Sequence, residues 1–152
     1  MKLAEALLLR SDLQTKLASL RERVVRNAVV QQGEKPHEDP AKLLKEAHGV
    51  LDELESLVAR INRTNLAAKA SDGRSLTALL ARRDMLTQRH ALLKAAVAGS
   101  HKEPERYSVS EIKWKAVLNV ASLQKQADDL AKTLRELVAQ IQQINWKADL
   151  AD

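Results

Sequence analysis

Six consecutive residues, Arg60-Ile61-Asn62-Arg63-Thr64-Asn65, form the densest polar cluster in the chain. Two guanidinium groups and two carboxamides within two helical turns could line a polar pocket for a small ligand. Arg presents several N–H donors, and Asn supplies both a donor and an acceptor. Arg10 is a further candidate, because it occupies a position where the surrounding pattern asks for Leu. The candidate ligand-binding set is therefore Arg10, Asn62, Arg63 and Asn65. A plainer role is open to part of the set, since Asn tolerates the conformation that ends a helix.

Other chemistry finds little support. There is no Cys, which removes thiol nucleophiles, Cys-ligated zinc and disulfide scaffolds. The four histidines are His37, His48, His90 and His101. None closes a Glu-x-x-His pair on a helix, the signature of a carboxylate-bridged di-iron bundle. His37, Glu38 and Asp39 are adjacent, but neighbouring loop residues rarely converge on one ion, and Asp39 is placed to cap a helix. The four glycines are too scattered for a phosphate-cradling loop. No catalytic residue, metal site or cofactor is expected, and a non-enzymatic role is the reading of choice.

These residues are carried by four segments with apolar spacings of three and four. The first stripe is Leu3, Ala6, Arg10, Leu13, Leu17, Leu20 and Val24, with Asn27 next in phase, and it predicts a helix over 2–32. Gly33 stops it. Asp39-Pro40 restarts the helix, Asp as the cap and Pro at the first helical position, where its missing N–H costs nothing. The second helix, 40–65, carries Leu43, Ala47, Val50, Leu54, Leu57 and Ile61, with Thr64 in phase. Ser71-Asp72-Gly73 is a turn signal. The third helix, 76–98, carries Leu76, Leu79, Arg83, Leu86, His90, Leu93 and Val97. The fourth, 120–150, is capped by Asn119 and carries Leu123, Ala127, Leu130, Leu134, Leu137, Ile141 and Ile144. Such stripes belong to a coiled coil or helical bundle. The expected fold is all-α dominated, one domain over 1–152, an elongated antiparallel four-helix bundle with one short β-strand before the last helix. The polar end of helix 2 and the Arg23, Arg26, Asn27 and Gln31 cluster near the end of helix 1 should then lie at opposite poles of an antiparallel pair.

The strand is expected over 111–118, where Ile112, Trp114, Ala116 and Leu118 alternate with Lys113, Lys115 and Val117. An isolated strand leaves its backbone groups unpaired. Leu66–Ala70 could pair with it inside the chain, or the same segment of a second subunit could pair with it across a two-fold axis. The second solution predicts a homo-oligomer whose interface holds Tyr107, Ile112, Trp114, Ala116 and Leu118. Trp and Tyr are enriched at such interfaces.

Composition agrees with helices. Phe is absent, Gly and Pro together number seven, and Leu and Ala carry the apolar content. The net charge is +5. Residues 76–106 hold Arg82, Arg83, Arg89, Lys94, Lys102 and Arg106 against Asp84, Glu103 and Glu105. The balancing acids argue against nucleic-acid binding. No stretch approaches the ~20 apolar residues of a membrane span, and a cytoplasmic location is expected.

Several stretches also resemble a known family. They are Met1 to Gln14, Arg60 to Asn65, Asp72-Gly73-Arg74-Ser75-Leu76-Thr77, Arg82-Arg83-Asp84, Arg106-Tyr107-Ser108, Glu111-Ile112-Lys113 and Ile144-Asn145-Trp146. Together they resemble the septicolysin-like family of small bacterial proteins over nearly the full length. The name implies a cytolysin acting on membranes after assembly. The resemblance brings no catalytic residue with it. Three functions follow in order: an oligomeric helical protein acting through protein–protein contacts, a septicolysin-like cytolysin, and an enzyme or small-ligand binder with a polar pocket near Asn62 to Asn65.

Overall fold

The computed structural model describes residues 1–101 and 113–152. It is all-α, with α1 Leu3–Asn27, α2 Pro40–Ala67, α3 Leu76–Gly99 and α4 Val120–Lys147. The chain divides into two compact units. The first holds Met1–Leu76 and Gln142–Asp152, and the second holds Thr77–Ile141.

In the first unit, α1 and α2 pack together. Leu3, Ala6, Leu13, Leu20 and Asn27 of α1 are buried, as are Leu43, Ala47, Val50, Leu57, Ile61 and Thr64 of α2. Each set follows the spacing of three, four or seven that places residues on one helical face. Lys16 pairs with Glu46 at 2.9 Å, and Arg23 pairs with Glu38. Residue numbers rise along α1 as those of their partners fall from α2 to the residue just before its cap, so the two helices are antiparallel.

Helix α1 ends at Asn27, short of the expected residue 32. The buried Asn27 explains the early stop. Its Nδ2 donates to the Arg23 carbonyl at 2.9 Å, and its Oδ1 accepts from the Glu38 backbone N–H at 3.1 Å. The Arg23 guanidinium holds the Glu38 carboxylate with two bonds. This draws the far end of the loop back onto the last turn of α1, so residues 28–38 cannot continue the helix. Gly33 takes a φ of +90° in that loop, a conformation that glycine adopts without cost. Asp39 caps α2 as expected, its Oδ1 accepting from the Ala41 N–H at 2.9 Å.

After α2 the chain turns on itself. Ala70 N–H donates to the Arg74 carbonyl and Leu76 N–H to the Ala68 carbonyl, both at 2.8 Å. Asp72 Oδ1 accepts from the Arg74 N–H at 3.0 Å, and Gly73 takes a φ of +84°. At the other end, α4 stops at Lys147 rather than 150. The residues beyond it pair with the N-terminus: Leu3 N–H donates to the Ala148 carbonyl and Leu150 N–H to the Met1 carbonyl, each at 2.9 Å. Backbone groups that would have extended α4 are spent on that pairing.

In the second unit the expected stripes hold. On α3, Leu79 and Leu86 are buried, Arg83, His90, Leu93 and Val97 are half-buried, and Leu92 is exposed. Arg83 meets the carboxylate of Asp84 at 2.8 and 2.9 Å. On α4, Ala127, Leu137 and Ile141 are buried, while Leu123, Leu130 and Leu134 are half-buried. Asn119 caps α4 through the Ser122 N–H at 3.0 Å.

The β-strand is not found among the described residues. Residues 113–118 carry no strand and are all exposed, Val117 at 96%. Residues 111 and 112 and Tyr107 lie outside the described residues. Period two marks an apolar face, but a strand persists only with a ladder beside it. The segment 66–70 cannot provide one, because Leu66 and Ala67 remain in α2 and Ala68 and Ala70 bond within the turn that follows. Among the described residues the β pairing is limited to two isolated bridges, Lys2 with Asp149 and Lys69 with Ser75.

Candidate functional site

The polar run at the end of α2 divides into two roles, because successive residues on a helix point about 100° apart. Arg60, Arg63 and Thr64 turn toward the C-terminal tail. Arg60 Nε donates to the Ala151 carbonyl at 2.8 Å, and Arg63 donates to the backbone oxygen of Asp152. Thr64 Oγ1 donates to the Arg60 carbonyl and accepts from the Ala151 N–H, each at 2.9 Å. Lys2 adds an ion pair with Asp149 at 2.7 Å and a bond to the Lys147 carbonyl at 3.2 Å. The ammonium of Lys2 beside it holds the Asp149 carboxyl below the usual carboxylate range. Arg63, named as a ligand-binding candidate, therefore serves as a clasp on the tail. Asn65 is half-buried at the same end of α2.

Asn62 points elsewhere. It is exposed and lines a groove of about 580 Å³ with Gln14, Leu51, Asp52, Leu54, Glu55, Val58 and Ala59. Arg10 lies one turn before Gln14 on the same side of α1, since residues four apart stack on one face. Its Nε is buried and has no hydrogen-bond partner. Of the four candidates, Arg10 and Asn62 thus belong to one face of the α1–α2 pair, while Arg63 is occupied with the tail.

That face also carries an apolar row. Leu44, Leu51 and Val58 stand seven residues apart on α2 and remain 46%, 47% and 36% exposed. Scattered exposed apolar residues are ordinary, but a row aligned on one helix face beside a groove is a candidate contact surface. Strict spacing by seven beside the core stripe is the sequence signal that would have revealed it. Asp52 and Glu55 flank the row. Among the described residues, Arg10, Arg21, Asp52 and Glu55 make no ion pair.

Of the expected interface residues, Tyr107 and Ile112 lie outside the described residues. Trp114, Ala116 and Leu118 are exposed in the second unit, and Trp114, Ala116, Val117 and Leu118 line a depression with Ala96 and Ser100. Among the described residues no three His, Asp or Glu side chains are close enough together to hold a metal ion.

The fold and this surface define a small all-α protein with an open helical face. The family model of DUF6847, a family of unknown function, matches residues 10–150, and the chain belongs to that family. It is similar to a functionally unknown conserved protein from Corynebacterium diphtheriae known from a crystal structure, at 36% identity and a TM-score of 0.92. That match covers 99% of this chain and 98% of the other. Comparison with curated proteins gives no match.

Proposed function

We propose that the protein is a non-enzymatic, protein-binding module that works through the open face of α1 and α2. The observation that carries this reading is the row Leu44, Leu51 and Val58, left exposed beside a groove whose polar rim is Gln14, Asp52, Glu55 and Asn62. An apolar centre with a polar rim is the usual anatomy of a protein interface. The convergent pair of acid, base or nucleophile that an active site requires is not what this groove offers, because its acids stand on an open helix surface. The segment 113–118, with Trp114, Val117 and Leu118 exposed, is a second surface through which subunits could meet.

A photo-crosslinking side chain at position 51 tests the reading in the cells that make the protein, with position 53 on the same helix as the control. The reading expects one discrete adduct at 51, identified by peptide sequencing as a protein, and none at 53. Equal or absent adducts at both positions refute it. The cytolysin expectation is separated by a vesicle assay. Among the described residues no helix is long and apolar enough to cross a membrane, and dose-dependent dye release by the pure protein would favour that function instead.

A further inference from the structure

We propose that Met1–Leu3 and the last turns of α2 form a docking cleft for an extended acidic segment of another protein, and that residues 148–152 fill it as a built-in, replaceable occupant. The cleft uses different residues from the α1–α2 face, so it stands or falls independently of the reading above.

Residues 148–152 are held as a peptide ligand is held, through their backbone and from two sides. Toward Met1–Leu3, the Ala148 carbonyl accepts from the Leu3 N–H, and the Leu150 N–H donates to the Met1 carbonyl, each at 2.9 Å. Toward α2, the Ala151 N–H donates to Thr64 Oγ1 at 2.9 Å, and the Ala151 carbonyl accepts from Arg60 Nε at 2.8 Å. Arg63 donates to the backbone oxygen of Asp152. Backbone bonds of this kind give affinity for any extended chain, and side chains give the selectivity. Leu150 is buried, Ala148 and Ala151 are half-buried, and Asp149 and Asp152 are exposed. Lys2 pairs with Asp149 at 2.7 Å. The cleft therefore accepts an acid, then a leucine-sized apolar residue, then a small residue.

Two observations make the resident segment replaceable. The first is how little anchors it. Leu150 is its one buried side chain, and parts of a fold with few buried apolar contacts are those that open locally at low cost. The second is charge left unused. Arg60 and Arg63 give these bonds to backbone oxygens, and among the described residues neither meets a side-chain carboxylate. Lys2, Arg60 and Arg63 thus present three cations to a segment whose one paired side chain is Asp149. An incoming segment with carboxylates in reach of Arg60 and Arg63 gains charge-assisted bonds that the resident lacks. The same comparison disfavours a second copy as the occupant. Its residues 148–152 are identical to the resident ones, and they compete with a tethered segment whose effective concentration is about millimolar.

The test is fluorescence anisotropy on the full-length chain with a dye-labelled peptide of the sequence of residues 147–152, and with the same peptide carrying Ala151→Glu. A Leu150→Asp chain, whose own segment no longer seats, should bind the first peptide at least about 10-fold more tightly than the parent does. The Ala151→Glu peptide should bind that chain more tightly still. Adding Arg60→Ala or Lys2→Glu to the chain should weaken binding by about 10-fold. If Leu150→Asp loses helix by circular dichroism, Asp149→Lys takes its place with the same expectations, because position 149 is exposed and its Lys would face Lys2. A folded variant that binds no tighter than the parent overturns the inference, as does binding indifferent to both Arg60→Ala and Lys2→Glu. Amide exchange in the parent gives a reading free of variants. The Leu3 and Leu150 N–H groups should exchange at least about 10-fold faster than that of the buried Leu57. Equal rates would mean that the cleft empties only when the whole chain unfolds, which also overturns it. A parent that sediments as a dimer and reverts to a monomer with Asp149→Lys would overturn the partner protein as occupant and assign the cleft to exchange between copies.

Discussion

Thr64→Val isolates the clasp that joins the C-terminal tail to α2. The hydroxyl is 3% exposed at residue level and makes two bonds, donating to the Arg60 carbonyl and accepting from the Ala151 N–H. Val keeps the volume and the branched shape, so packing is conserved while both bonds disappear. The Arg60 carbonyl retains its place in the helix ladder. The Ala151 N–H loses its acceptor, and a buried unsatisfied donor costs about 1–3 kcal/mol. Ala151 is only half-buried, so water can reach it in part and the lower half of that range applies. For a chain of this size each kcal/mol is worth ~2–4 °C in melting temperature, which gives a fall of roughly 2–8 °C. The tail should also loosen, since Arg60 and Arg63 grip the adjacent carbonyls of Ala151 and Asp152. Differential scanning calorimetry measures the first effect, and amide exchange at Leu150 and Ala151 measures the second. If Thr64→Val melts with the parent and Ala151 exchanges no faster, the hydroxyl does not hold the tail, and the polar end of α2 regains its claim as a ligand site.

Leu20 and Leu92 separate core from surface. Leu20 is 1% exposed, so Leu20→Ala should cost about 2–5 kcal/mol in urea unfolding. Leu92, 70% exposed on α3, should change stability by no more than about 0.5 kcal/mol when replaced by Ala, and a larger loss would mean that α3 packs through a different face. Glu38, Glu46 and Asp149 are held below their ordinary values, first by hydrogen bonds from Arg23, Lys16 and Lys2 and then by the charges of those residues. Their stabilisation is complete above the ordinary carboxylate range and is lost as pH falls through the lowered native values, so the urea midpoint should hold between pH 7 and ~5 and decline below ~4. A Glu38→Gln chain should lose part of that decline, and an identical pH curve would show that the Arg23 contact is idle.

Helices, caps and turns were legible in the residues because their causes are local. Asp39-Pro40 and Asn119 cap as their chemistry requires, and Gly73 turns where only glycine adopts a positive φ cheaply. The apolar period settled which side of each helix is buried, even where Arg83 and His90 interrupt it. Less was visible of the places where distant segments compete for the same backbone groups. Asn27 ends α1 early because it bonds to Glu38, and nothing near Asn27 announces that partner. The apolar alternation at 113–118 met no ladder among the described residues, so its period did not become a strand.

The candidate site divides along the same line. Residue types and phase alone singled out Arg10 as a cation in an apolar stripe, and singled out the Arg60 to Asn65 run as polar and crowded. Whether those groups are free or occupied depends on which chain ends arrive beside them. The tertiary structure brings Ala151 and Asp152 to Arg60, Arg63 and Thr64, so Arg60 Nε, one Arg63 Nη and the Thr64 hydroxyl are engaged with the tail, while Arg10 Nε is left without an acceptor. A sequence states how many hydrogen bonds a side chain can make, and only the packed chain decides which of them remain to be made with something else.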